Sequence, residues 1–179
     1  MKVFISLFLV ALLTLLLQGA LATIIPPPWC PDLLLLALIS IGLRWRGLAR
    51  GLVLAYLLGF AADILSGSLM GSHALLSMLA FMSAVLAGRQ LNLKGILPLA
   101  VFGWAVSFFY GLVLYGISSV FVGGMELSLR WLLENFIHAL LNGLLTPVAF
   151  EIFSRLAIWA GADDSPDRAL YIETAGRPT

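Results

Sequence analysis

The chain has few charged residues and a single cysteine. Lys, Arg, Asp and Glu make up 11% of its 179 residues, hydrophobic residues make up 61%, and the mean hydropathy is +1.06. An ordinary soluble domain carries about 25% charged residues. So small a polar fraction does not cover the apolar surface of a water-soluble fold, so the composition excludes that class of protein.

The same scarcity excludes several kinds of site. The formal net charge is only +1 and no cluster of Lys and Arg stands out, so we expect no nucleic-acid partner. Cys30 is the only cysteine and has no partner for an internal disulfide, and no Cys/His spacing predicts a metal site. We find no nucleophile with an activating base and no phosphate-binding glycine loop, so we expect neither catalysis nor a cofactor.

Long apolar runs dominate what the chain does contain. Crossing a hydrocarbon layer about 30 Å thick takes roughly 20 helical residues. Six apolar segments are read as spans: 3–24, 32–45, 51–66, 73–87, 96–122 and 131–159. We therefore predict an all-α, polytopic domain over residues 1–160 with about six transmembrane helices, followed by a polar, mobile cytoplasmic tail at 161–179.

Prolines and tryptophans mark the limits of these segments. The run from Pro26 to Pro31 predicts a stiff connector before a short second span, and Pro147 predicts a kink in the last helix. Four tryptophans fall at predicted membrane interfaces, namely Trp29, Trp45, Trp131 and Trp159.

The first segment has two interpretations. Lys2, the apolar run and the small-residue pattern Ala20-Leu21-Ala22 are typical of a cleavable signal peptide. Further spans follow, so we interpret the segment as a retained first helix instead.

Basic residues predict the orientation of the domain. One side of a six-span arrangement collects Lys2, Arg44, Arg46, Arg50, Arg89, Lys94 and Arg155, whereas the other side has Arg130 alone. Because cytoplasmic loops are enriched in Lys and Arg, we expect both termini in the cytoplasm.

Small or polar residues recur every fourth position in and around the third segment: Gly47, Gly51, Ala55, Gly59, Asp63, Gly67 and Gly71. Gly51, Ala55 and Gly59 form a smooth groove that lets another helix approach closely. The pattern indicates packing against a neighbouring span of the same chain or, alternatively, a docking face for a partner protein.

Polar residues also recur in the last segment, where Glu134, His138 and Asn142 predict a stripe that faces protein rather than lipid. Our hypothesis is that Asp63 meets this stripe through His138, because a carboxylate at membrane depth needs a partner. Two alternatives remain open. Asp63 and Glu134 reach interfacial water while His138 binds a carbonyl group, or the three residues form a proton relay or cation site.

Two parts of the sequence resemble the rod-shape-determining MreD family of bacteria. The resemblance is carried by Pro31-Asp32 with the leucine run behind it, and by the stretch GFAADILSGSLMGSHAL at residues 59–75. It extends over roughly residues 28–158, and 59–75 is its most distinctive part.

The resemblance implies a scaffold in the bacterial cytoplasmic membrane, without chemistry of its own. Such a protein binds MreC within the machinery that builds the lateral cell wall, together with the actin-like MreB, the glycosyltransferase RodA and a class B penicillin-binding protein. The MreD family is also similar in architecture to the substrate-binding subunits of energy-coupling-factor vitamin transporters.

That similarity supplies an alternative function, a small-ligand binding subunit of a transporter. A ligand pocket needs several hydrogen-bonding groups and aromatic rings around one outward cavity. The predicted outer loops are short and poor in such groups, which favours the scaffold.

Overall fold

The computed structural model describes residues 2–26, 28–44, 48–67, 69–91, 93, 95–121, 123 and 127–159. In these residues the regular structure is helical throughout, and the helices are α1 (Lys2–Ala22), α2 (Leu33–Arg44), α3 (Leu48–Ser66), α4 (Ser72–Gln90), α5 (Ile96–Phe121) and α6 (Leu129–Trp159). All but α2 are long and apolar enough to cross a membrane. The prediction of an all-α, polytopic membrane protein is confirmed.

The helix limits lie close to the predicted segments. The largest differences are at the start of α3 and the end of α4, which continue through Arg50 and Arg89, respectively. Pro147 lies inside α6 and does not end that helix. The predictions for Trp45, Arg46, Gly47, Lys94 and the tail at 161–179 concern positions outside the described residues.

The shortest helix, α2, lies at the centre of the bundle. Every residue from 34 to 42 is buried, because α1, α4 and α6 pack around the helix. With 12 residues it is about 18 Å long, which is well short of a bilayer crossing of about 30 Å. The segment predicted as a short span at 32–45 is thus a short apolar helix, below the length of the other five.

The first turn of α2 lies deep in the protein. The backbone N–H of Asp32 donates to Asn142 Oδ1 over 2.9 Å, and Asn142 lies 13 residues after Leu129, the start of α6. At 1.5 Å per residue that distance is about 20 Å along α6. Among the described residues, no helix continues the line of α2 into the half of the bundle where α6 begins.

Three side chains satisfy the backbone where α2 begins. The Gln18 side chain of α1 accepts from the N–H of Leu34 over 3.0 Å, and the Asp32 side chain accepts from the N–H of Leu35 over 3.0 Å. The Asn142 side chain accepts from the backbone N–H of Asp32. Each unsatisfied backbone group inside a membrane costs several kcal/mol. These contacts explain how a helix can start in the protein interior.

Glycines allow the helices to approach closely. An added Cβ at Gly59 of α3 would lie 2.6 Å from both the Ala74 Cα and the His73 carbonyl oxygen of α4. On α5, Gly103 and Gly111 similarly receive Thr146 and Asn135 of α6. The sequence interpretation recognised Gly59 and missed the two glycines of α5, which are eight residues and therefore about 80° apart around that helix.

We expect Gly59→Leu to destabilise the fold by about 3 kcal/mol, at the upper end of the range for overpacking, because the contacted atoms of α4 belong to its backbone. Thermal unfolding of the purified protein in detergent measures the effect. Gly19→Leu is the matched control, since an added Cβ at Gly19 of α1 meets nothing within 4 Å. Equal midpoints for the two variants would contradict the close-approach argument.

Candidate functional site

Asp63 closes the turn between α3 and α4. Its carboxylate is buried and accepts from the backbone N–H groups of Gly71 (2.9 Å), His73 (2.9 Å) and Ala74 (3.1 Å). The Ser72 hydroxyl lies 3.2 Å from the carboxylate and donates to the Leu69 carbonyl over 2.7 Å. Free N–H groups and the helix dipole both favour an anion at this position. Asp63 is thus the acidic cap of α4.

Glycine is required within this turn. Gly67 and Gly71 have φ angles of 61° and 96°, a region that residues with a Cβ rarely adopt. Both angles curl the chain so that the first N–H groups of α4 point back at Asp63. The last four members of the small-residue pattern, from Gly59 to Gly71, therefore act together as one unit. Gly59 sets the distance between α3 and α4, and Asp63 closes the turn.

The other members of the predicted small-residue face are also inside the protein. Gly51 and Ala55 are buried together with Gly59 along α3. This face is covered by the chain's own helices, as the first of the two interpretations requires. In this fold it is not exposed as a docking surface for a partner.

The hypothesis of a contact between Asp63 and His138 is wrong. The His138 Nδ1 atom lies 3.3 Å from the Pro28 carbonyl oxygen, and its Nε2 atom lies 3.1 Å from Asn142 Nδ2. A carbonyl accepts only from a protonated nitrogen, so these neighbours fit the tautomer with the proton on Nδ1. Asp63 instead finds donors within 11 residues of itself, in the helix that follows.

Asn142 connects three elements in the interior. Its Oδ1 accepts from the Asp32 N–H, and its Nδ2 donates to the Ser107 hydroxyl of α5 over 2.8 Å and to His138 Nε2. Its side chain is completely buried. The two ends of the predicted stripe therefore differ in burial. Asn142 is completely buried, whereas the Glu134 side chain is 44% exposed and pairs with Arg130 over 2.9 Å.

A cavity of about 420 Å³ lies beyond the first turn of α2, where the bundle lacks a helix. Its walls come from the connector before α2 and from α2, α4, α5 and α6. The titratable side chains that line it are Asp32, His73, Tyr110, Tyr115, Glu134 and His138. Within the described residues, no group of three or more His, Cys, Asp or Glu comes together that could hold a metal ion.

The two tyrosines of α5 in this cavity differ in their hydrogen bonding. The Tyr110 hydroxyl lies 2.8 Å from His73 Nδ1 of α4. The Tyr115 hydroxyl is buried and has no hydrogen-bond partner among the described residues. The Tyr115 ring packs on Trp131 of α6, with 4.3 Å between ring centroids, and so forms an aromatic wall.

The sequence predicts Glu134 and His138 in a polar stripe that faces protein, and both line this cavity. It gave no indication that Asp32, His73 and the two tyrosines would join them. It also argued against a pocket because the outer loops are short and polar-poor. The structure corrects that argument, because helices and the proline-rich connector line the cavity. The available signal was a run of prolines before an apolar helix too short to span.

Comparisons of this chain with protein-family models, with curated proteins and with solved structures return no match.

We expect Asp63→Asn to lower the free energy of unfolding by about 3 kcal/mol, measured by thermal or denaturant unfolding in detergent. Each carboxylate oxygen accepts at least one backbone N–H, so the amide NH2 must face a donor whichever way it turns. A buried donor left unsatisfied costs about 1–3 kcal/mol, and the lost charge adds to this. Glu151→Gln removes a carboxylate charge from an exposed i,i+4 pair and is the control. An Asp63→Asn protein as stable as this control would show that the cap is dispensable.

Proposed function

We propose that this protein is a scaffold of the MreD type, which binds MreC and helps to organise lateral cell-wall synthesis. The supporting observation is the α3–α4 unit. The residues that carry the resemblance act together there, since Gly59 permits helix contact and the Asp63 carboxylate receives the N–H groups of the turn. The resemblance therefore rests on a specific folded unit and not on apolar composition alone.

We further propose that the protein lies in the cytoplasmic membrane with both termini in the cytoplasm. Three helices bring arginines to the same end of the bundle: α2 with Arg44, α4 with Arg89 and α6 with Arg155. Gly88 of α4 packs against Leu43 of α2, and the Arg44 guanidinium lies 6.0 Å from the centre of the Phe150 ring in α6. The positive-inside rule assigns such a basic end to the cytoplasm.

This orientation predicts which positions a membrane-impermeant maleimide reaches in spheroplasts. With Cys30→Ser as background, Leu127→Cys before α6 should react from outside, whereas Gln90→Cys at the end of α4 should react only after permeabilisation. Both side chains are exposed in the structure, so access depends on the side of the membrane. The reverse pattern would invert the proposed topology.

The cavity favours a second candidate function, a small-ligand binding subunit of an energy-coupling-factor-like transporter. Its volume is within the range of about 300–1,000 Å³ for ligand sites, and its wall combines aromatic rings with a few polar groups. This is the arrangement that the sequence interpretation named as the mark of such a subunit.

Co-purification from native membranes separates the two functions. We expect the tagged protein to enrich MreC, together with other wall-synthesis proteins, over an unrelated polytopic protein with the same tag and expression level. Enrichment of an ATPase module without MreC would overturn the scaffold and support the transporter subunit. Enrichment of neither would also overturn the scaffold.

A further inference from the structure

The cavity beyond α2 has the dimensions and position of a binding site. It measures about 420 Å³ and extends from Asp32, at the first turn of α2, to Trp131 and Glu134, near the start of α6. It lies where α2, at about 18 Å, stops short of a bilayer crossing of about 30 Å. A small molecule therefore fits there without displacing a packed helix.

The charges around the cavity have one sign. Asp32 and Glu134 contribute carboxylates, and no Lys or Arg is among the described residues that line it. Glu134 is already paired with Arg130 at the exposed edge. Asp32 uses Oδ1 to accept from Leu35, and its Oδ2 has no hydrogen-bond partner among the described residues. One carboxylate oxygen is thus available at the inner end of the cavity.

An anionic ligand is disfavoured by the same contacts. The N-terminus of a helix attracts anions through its free N–H groups. At α2 the N–H groups of Leu34 and Leu35 already donate to Gln18 and Asp32. What faces the cavity from this helix is a carboxylate.

The aromatic wall adds an attraction for positive charge. Tyr115 and Trp131 are packed together at 4.3 Å, and aromatic faces bind ammonium groups when water is excluded. The Tyr115 hydroxyl oxygen is inaccessible to solvent, so a ligand in the cavity meets the Tyr115 ring and not its hydroxyl.

We propose that this cavity binds a small organic cation, an amine or quaternary ammonium compound with an apolar or aromatic body, with Asp32 as its counter-charge and the Tyr115–Trp131 pair as its wall. The proposal specifies the ligand class of the second candidate function and rests on the cavity alone. The site is the same whether the chain also assembles with MreC or with a transporter.

The test measures binding to the full chain in nanodiscs of zwitterionic lipid, by isothermal titration calorimetry and thermal shift. The probes are phenethylamine, choline and putrescine. Two matched compounds, 2-phenylethanol and phenylacetate, replace the ammonium of phenethylamine by a neutral and an anionic group, and empty nanodiscs correct for partition into lipid. We expect at least one cation to bind and the neutral and anionic compounds to bind at least about tenfold more weakly, which corresponds to ~1.4 kcal/mol.

Two variants assign the site. Asp32→Asn keeps a side chain that caps α2 as well as Asp does, so the fold should persist while cation affinity falls about tenfold or more. Tyr115→Leu removes the ring from the aromatic wall and should weaken cation binding about threefold or more. Glu151→Gln and Tyr56→Leu make the same chemical changes at exposed positions outside the cavity and should leave binding unchanged.

Several results would overturn the proposal. One is that none of the three cations binds, and another is that phenylacetate or 2-phenylethanol binds as tightly as phenethylamine. A third is that Asp32→Asn, folded with an unchanged midpoint, binds as the unaltered protein does. These outcomes leave recovery of MreC untouched, so failure here and failure of the scaffold are distinguished.

Discussion

The structure depends on satisfying the backbone of a helix that begins in the interior of a membrane protein. Lipid offers no hydrogen bonds, so irregular chain at membrane depth is stable only where protein groups or a cavity serve it. Asn142, Gln18 and Asp32 accept the N–H groups of residues 32, 34 and 35. The prolines before α2 reduce the demand further, because proline has no N–H to satisfy. Because α1, α4 and α6 pack around α2, protein rather than lipid surrounds the helix.

The cavity is a consequence of the same constraint. A full-length second helix would occupy the space that Asp32, Tyr115 and Trp131 now line, and it would carry its own hydrogen bonds. The short helix instead places a capping carboxylate at the inner end of a hollow, where Asp32 stabilises α2 through one oxygen and presents the other. Asn142 has a comparable double role, because it anchors the connector through Asp32 and also donates to His138, a residue of the cavity wall.

The sequence predicted the features that depend on composition along one segment. Apolar runs located all six helices. The spacing of small residues predicted close helix packing at Gly59, which the structure contains. The predicted contact between Asp63 and His138 was wrong because it assumed that a buried carboxylate needs a distant side chain as its partner. The glycine-containing turn instead brings the N–H groups at the start of α4 within reach of Asp63. The cavity was not predictable from hydropathy. Asp32, His73, Tyr115 and Glu134 meet there because their helices lie at particular depths relative to one another. The apolar pattern of one span does not predict its axial position relative to another span.

The two proposed functions use different parts of the molecule. Within the α3–α4 unit, both oxygens of Asp63 receive backbone N–H groups and the glycine face is covered. The Asp63 carboxylate needs no ligand, which suits a structural role. The cavity wall presents one oxygen of Asp32 that has no hydrogen-bond partner among the described residues. Asparagine would cap α2 as well as aspartate does, without a charge that is costly at membrane depth unless it is paired or solvated. The carboxylate therefore argues that the cavity is a site in its own right.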